Sequence, residues 1–177
     1  MKKIFALALS LALAVAIGIG GTLAWLTDRT DPVINTFTVG NIDIDLTETK
    51  GGTDRIFKMV PGQSIDKDPV VTVKAGSEDC WLFVRIEESK NRGDFITYGI
   101  ADDWKALDND KYPGVYYYVV AASTNDQQFY VLRDNKVTVL DTVTKENVDA
   151  RPTLTFTAYA VQQYGSNNAA AAWDKLS

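Results

Sequence analysis

Ile42-Asp43-Ile44-Asp45-Leu46-Thr47 decides the fold class. Apolar side chains recur at every second position, with Asp43, Asp45 and Thr47 between them. A period of two, rather than 3.6, puts Ile42, Ile44 and Leu46 on one face of a half-buried strand. Upstream, past the Gly40-Asn41 punctuation, Val33, Phe37 and Val39 share one face, with Ile34, Thr36 and Thr38 on the other. Downstream, residues 50–54 read as a loop, and 56–60 as a short strand stopped by Pro61-Gly62. Strands are predicted over 70–73 and 80–87. In the second, Cys80, Leu82, Val84 and Ile86 oppose Trp81, Phe83, Arg85 and Glu87. Residues 115–122, 128–133, 136–143 and 153–163 complete the set, rich in the Thr, Val, Tyr and Phe that fit a pleated surface.

Many short strands between Gly, Pro and Asp turns point to an all-β chain, a jelly-roll-like antiparallel β-sandwich. Two stretches depart from this pattern. Residues 100–107 read as a short helical or irregular connection. Residues 166–176 read as a short C-terminal helix, capped by Asn167 or Asn168, with Ala169, Trp173 and Leu176 on one face.

The N-terminus has the three-part pattern of a secretory signal. Lys2-Lys3 precedes an uncharged apolar run over 4–19, interrupted only by Ser10 and Gly18. Gly20 and Gly21 break the run, and Thr22-Leu23-Ala24 places small residues before a cut between Ala24 and Trp25. The expected organisation is a signal peptide over 1–24 and a single domain over 25–177, with 25–40 as a donor-strand candidate. The alternative, a retained anchor, needs roughly 17–25 apolar residues. After the cut, 16 basic and 23 acidic residues remain, a net charge of −7. That surface repels phosphate, which disfavours nucleic acid, and it lacks a basic patch for anionic lipid.

The chain of 177 residues has one cysteine and no histidine. These counts exclude Ser-His-Asp and Cys-His nucleophiles, HExxH sites, intrachain disulfides and CxxC chemistry. No catalytic set and no cofactor is expected. Cys80, on an apolar strand face, reads as a buried inert thiol. Asp43 and Asp45 read as solvated strand residues. Asp108-Asn109-Asp110 is half of a calcium loop without its Gly and terminal Glu, and reads as a turn. Adjacent Glu87 and Glu88 face opposite sides and form no carboxylate pair. Tyr116, Tyr117 and Tyr118 with Trp104 offer a sugar platform, or else core packing.

Several segments in order resemble one family. Gly20-Gly21-Thr22-Leu23-Ala24-Trp25-Leu26-Thr27-Asp28 is similar to the junction of SipW-dependent signal peptides in the TasA/camelysin family. Asn35-Thr36-Phe37-Thr38-Val39-Gly40-Asn41-Ile42-Asp43-Ile44, Val60-Pro61-Gly62, Tyr112-Pro113-Gly114-Val115-Tyr116-Tyr117-Tyr118 and the 152–162 strand with its Ala-Tyr-Ala-Val-Gln resemble later family segments, with Ala172-Trp173 in the last helix. The resemblance implies a jelly-roll subunit, cut by a dedicated signal peptidase and membrane-bound only before the cut. It further implies assembly with copies of itself into biofilm matrix fibres at the surface of a Gram-positive bacterium. In that picture the N-terminal segment, with Val33, Phe37 and Val39, completes the sheet of the next subunit. Camelysin has been labelled a casein-cleaving metalloprotease. This sequence, with no histidine and no recognisable zinc motif, does not carry that activity over. The alternatives are a monomeric extracellular module binding glycan or calcium, and a hydrolase using carboxylates or a metal.

Overall fold

A computed structural model describes residues 41–48, 57–144 and 152–176. The chain divides into Met1–Thr38 and Val39–Ser177, and all the described residues belong to the second unit. Ala24, Trp25, Val33, Phe37 and Val39, and with them the signal and the donor-strand candidate, lie outside the described residues.

The described residues form ten strands in antiparallel sheets and one short helix. The strands are β1 (Ile44–Glu48), β2 (Ser64–Asp66), β3 (Pro69–Val73), β4 (Cys80–Glu88), β5 (Ile96–Thr97), β6 (Lys105–Ala106), β7 (Val115–Val120), β8 (Gln127–Tyr130), β9 (Lys136–Val139) and β10 (Leu154–Gln162); the helix is α1 (Ala169–Trp173). Three sheets run β1-β3-β8, β10-β4-β7-β6 and β2-β9-β5.

Alternation explains the first two sheets. Ile44 lies opposite Val73 and Leu46 opposite Val71, which in turn faces Phe129. These side chains meet Leu82, Val84 and Ile86 of β4 and Ala158 and Ala160 of β10 in the main core cluster. Each large aliphatic side chain withdrawn from water there contributes roughly 1.5–3 kcal/mol before entropy is counted. The opposite face of β4 is not solvated along its whole length. Phe83 is fully buried beneath α1, where Trp173 stands 5.2 Å from the Phe83 ring and 5.2 Å from Tyr159. Only Arg85, Glu87 and Glu88 of this strand are exposed. The terminal helix therefore turns a one-sided strand into a two-sided one.

The third sheet continues the first across a break. Val70 lies opposite Tyr130 and Ser64 opposite Thr138, so six steps along one arm match eight along the other. A 3-10 turn at Arg133–Asn135 holds the two extra residues, with Asp134 and Asn135 both at φ 54. Asp and Asn are the non-glycine residues that best tolerate that region. Lys67 N still donates to Asn135 O at 2.9 Å, which bridges the break.

Some sequence readings change. Residues 57–60 are not strand: Met59 packs on the second core cluster, while Gln63 N donates to Val60 O and closes a turn around Pro61-Gly62. The 136–143 strand ends at Val139, because Leu140 N turns to Phe95 O. The 128–133 strand likewise ends at Tyr130, before the 3-10 turn. The helix is capped by Asn168, whose side chain accepts from Ala171 N at 2.8 Å. Its buried residues are Ala169 and Ala172, while Leu176 is exposed.

Candidate functional site

At one end of the four-stranded sheet, β4 begins, β7 ends and β10 ends side by side. Three chain segments leave the ladder there, and their side chains line an open cleft of about 460 Å³. Glu78 and Asp79 come from the turn before β4, Ala122 follows β7, and Gln162, Gln163 and Tyr164 close β10.

Each carboxylate and amide side chain of the cleft has at least one hydrogen bond to its surroundings. Asp79 Oδ1 accepts from Ala122 N at 2.7 Å, which ties the carboxylate to the segment that follows β7. Glu78 Oε2 accepts from the Gln162 amide. Gln163 N donates to Asp79 O at 2.9 Å, and its side-chain amide leans on Cys80 O and Val120 O, each at 3.4 Å. Among the described residues, no hydrogen bond reaches Asp79 Oδ2, Glu78 Oε1 or the amide oxygens of the two glutamines. Tyr164 stands at the rim with 89% of its surface exposed. Just after it, Gly165 adopts φ 79, and Lys175 Nζ donates to Gly165 O at 2.8 Å.

The residues singled out by sequence fall elsewhere. Cys80 is fully buried at the start of β4, as expected of an inert thiol. Burial, and secondarily the charge of Asp79, push its thiol up to about 11. Asp43 and Asp45 are exposed; Lys74 Nζ lies 2.8 Å from Asp45 and 3.7 Å from Asp126. Asp108 Oδ1 accepts from Asp110 N at 3.1 Å and Lys111 N at 3.3 Å, so the expected turn is closed by its own carboxylate. Among the described residues no group of three His, Cys, Asp or Glu side chains is placed to hold a metal ion. Glu87 pairs with Arg85 at 3.0 Å, whereas Glu88 pairs with Arg92 and accepts from Tyr98 Oη. Burial, then that bond, raise the Tyr98 phenol above its ordinary range.

The tyrosine run is core packing rather than a platform. Trp104 is buried, its Nε1 donates to Tyr130 O at 2.8 Å, and its ring meets Tyr118 edge-on at 6.0 Å. Tyr118 in turn packs against Phe129 at 4.7 Å. Tyr117 points to the other face and meets Trp81 at 6.0 Å. Sequence reasoning missed the cleft and Tyr164. The one available signal was a tyrosine placed beside a glycine just past the end of a strand, where no ladder would bury it.

Among the described residues no helix is long and apolar enough to cross a membrane. No family model, no curated protein and no solved structure matches this chain.

Proposed function

We propose that the chain is a secreted structural subunit, with a jelly-roll β-sandwich, that assembles with copies of itself into extracellular matrix fibres. The observation that carries this reading is β10. It runs Leu154–Gln162 without a charge or a proline, and among the described residues its ladder partner is β4 alone. A long uncharged strand at a sheet edge is a template for pairing with another chain. The sequence supplies a matching segment: Val33 to Val39 has strand chemistry, with Val33, Phe37 and Val39 on one apolar face. Cleavage between Ala24 and Trp25 by a dedicated signal peptidase frees that segment to pair outside its own subunit. The crossed strand orders β1-β3-β8 and β10-β4-β7-β6 agree with a jelly-roll path. The role is structural rather than enzymatic, at the surface or in the matrix of a Gram-positive bacterium.

Negative-stain microscopy of the purified protein cut after Ala24 tests this, with fibres as the expected result. Deleting residues 25–39 behind a working signal should leave a monomer and no fibres. Phe37→Asp should weaken assembly more than Thr38→Asp, because only Phe37 lies on the apolar face. Normal fibres from the deletion, or equal effects of the two substitutions, refute strand donation.

A further inference from the structure

The cleft between the ends of β4, β7 and β10 combines four features. Its volume, about 460 Å³, lies in the range of small-ligand sites and admits one or two pyranose rings. Glu78 and Asp79 both reach it, and neither has an ion-pair partner among the described residues. Gln162 and Gln163 line the same space, with their amide nitrogens engaged by Glu78 Oε2 and by Cys80 O and Val120 O. Tyr164 offers a ring that is 89% exposed.

Each feature selects a ligand property. Two adjacent carboxylates without a cation concentrate negative potential in a concave site and favour a positively charged guest. Their inner oxygens are fixed by Ala122 N and the Gln162 amide, so the outer oxygens are already oriented. Charge-assisted bonds to such oxygens are about twice as strong as neutral ones. No group of three His, Cys, Asp or Glu side chains gathers among the described residues, so a divalent cation would have to complete its shell from amide oxygens and water. An aliphatic amine alone leaves the tyrosine ring and the amides unused. A flat ring face beside polar acceptors suits a sugar, whose C–H face stacks on an aromatic ring while its hydroxyls bond to amides. The absence of a lining cation disfavours acidic or phosphorylated sugars.

We infer that this cleft binds a glycan carrying free amino groups, a glucosamine-type polymer. The ammonium group lies between Glu78 and Asp79, the pyranose face rests on Tyr164, and the hydroxyls bond to Gln162 and Gln163. This inference goes beyond fibre formation: the cleft shares only Gln162 with β10, and calorimetry reads ligand binding separately from assembly.

Titration calorimetry with a glucosamine tetramer, its fully N-acetylated form and an aliphatic diamine tests the proposal on the purified protein. The free-amine tetramer is expected to bind, weakening as salt is raised, with the acetylated tetramer and the diamine each about tenfold weaker. Tyr164→Ala, at a site too exposed to disturb the fold, should lower affinity about tenfold. Glu78→Gln with Asp79→Asn keeps both inner hydrogen bonds possible and should bring the two tetramers to equal, weak binding. The Ala122 and Gln163 amide resonances should shift on titration, which places the ligand without any substitution. No binding of the free-amine tetramer, or binding unaffected by Tyr164→Ala, overturns the site. Equal binding of the two tetramers to the unsubstituted protein overturns the amine, and equal binding of the diamine overturns the sugar.

Discussion

Cys80 shows how a single side chain's chemistry is set by its place on a strand. It is fully buried at the first position of β4, between β7 and β10, and the thiol is pushed up to about 11 from 9.0. The thiolate is the reactive form, so native protein at pH 8 should resist a thiol reagent that labels one equivalent after denaturation. Rapid native labelling would show that the strand end opens. The pH consequence follows from the sign of the shift. A thiol neutral in the fold and raised above its unfolded value stabilises the fold fully below about 9, and that contribution is lost as pH rises toward about 11. Chemical denaturation across that window should show a fall in the native protein that Cys80→Ser lacks. Cys80→Ser should itself cost about 1–3 kcal/mol at neutral pH if its hydroxyl finds no partner, without loss of assembly.

At the scale of elements, the turn Tyr112-Pro113-Gly114 ahead of β7 lies close against Ile86 of β4. Gly114 adopts φ 73, and a side-chain carbon built there would lie 2.4 Å from Ile86 O. Ile86 N donates to Gly114 O at 2.8 Å, so this backbone-to-backbone contact seats the first residues of β7 against β4. Gly114→Ala combines a left-handed backbone with a clash against main chain rather than a movable side chain. A destabilisation of about 1–3 kcal/mol is expected, read as a lower denaturation midpoint with little change in slope. The strands most legible in the sequence were those with a full alternating run: β1 on Ile44 and Leu46, β4, β7 and β10. Ser64–Asp66, Ile96–Thr97 and Lys105–Ala106 were not legible, because two or three residues display no period and exist as strands only through their partners. The burial of Phe83 had the same cause: its cover is α1, which no local pattern around β4 could reveal. The cleft escaped for a related reason. Glu78, Ala122 and Gln163 are far apart in the chain and converge only where three strands end together.

For the whole molecule, the charge and the two ends of the chain matter most. With an apolar N-terminus that ends in Gly20-Gly21-Thr22-Leu23-Ala24, the intact mass of the protein recovered outside the cell should begin at Trp25. A mass that retains the apolar run, or a terminus upstream of Gly20, would contradict the predicted cut. The opposite end has a different part. β10 lies along the whole of β4, with Gln162 facing Cys80 and Leu154 facing Glu88, so the central sheet joins stretches from the middle and the last part of the sequence. A ladder of such non-local pairs forms slowly, on the order of milliseconds to seconds, because the loop between them must close first. A chain emerging N-terminus first from a ribosome or a translocation pore therefore cannot complete this sheet until β10 is through. Until then it stays threadable, and the timing of folding is set by the arrival of β10.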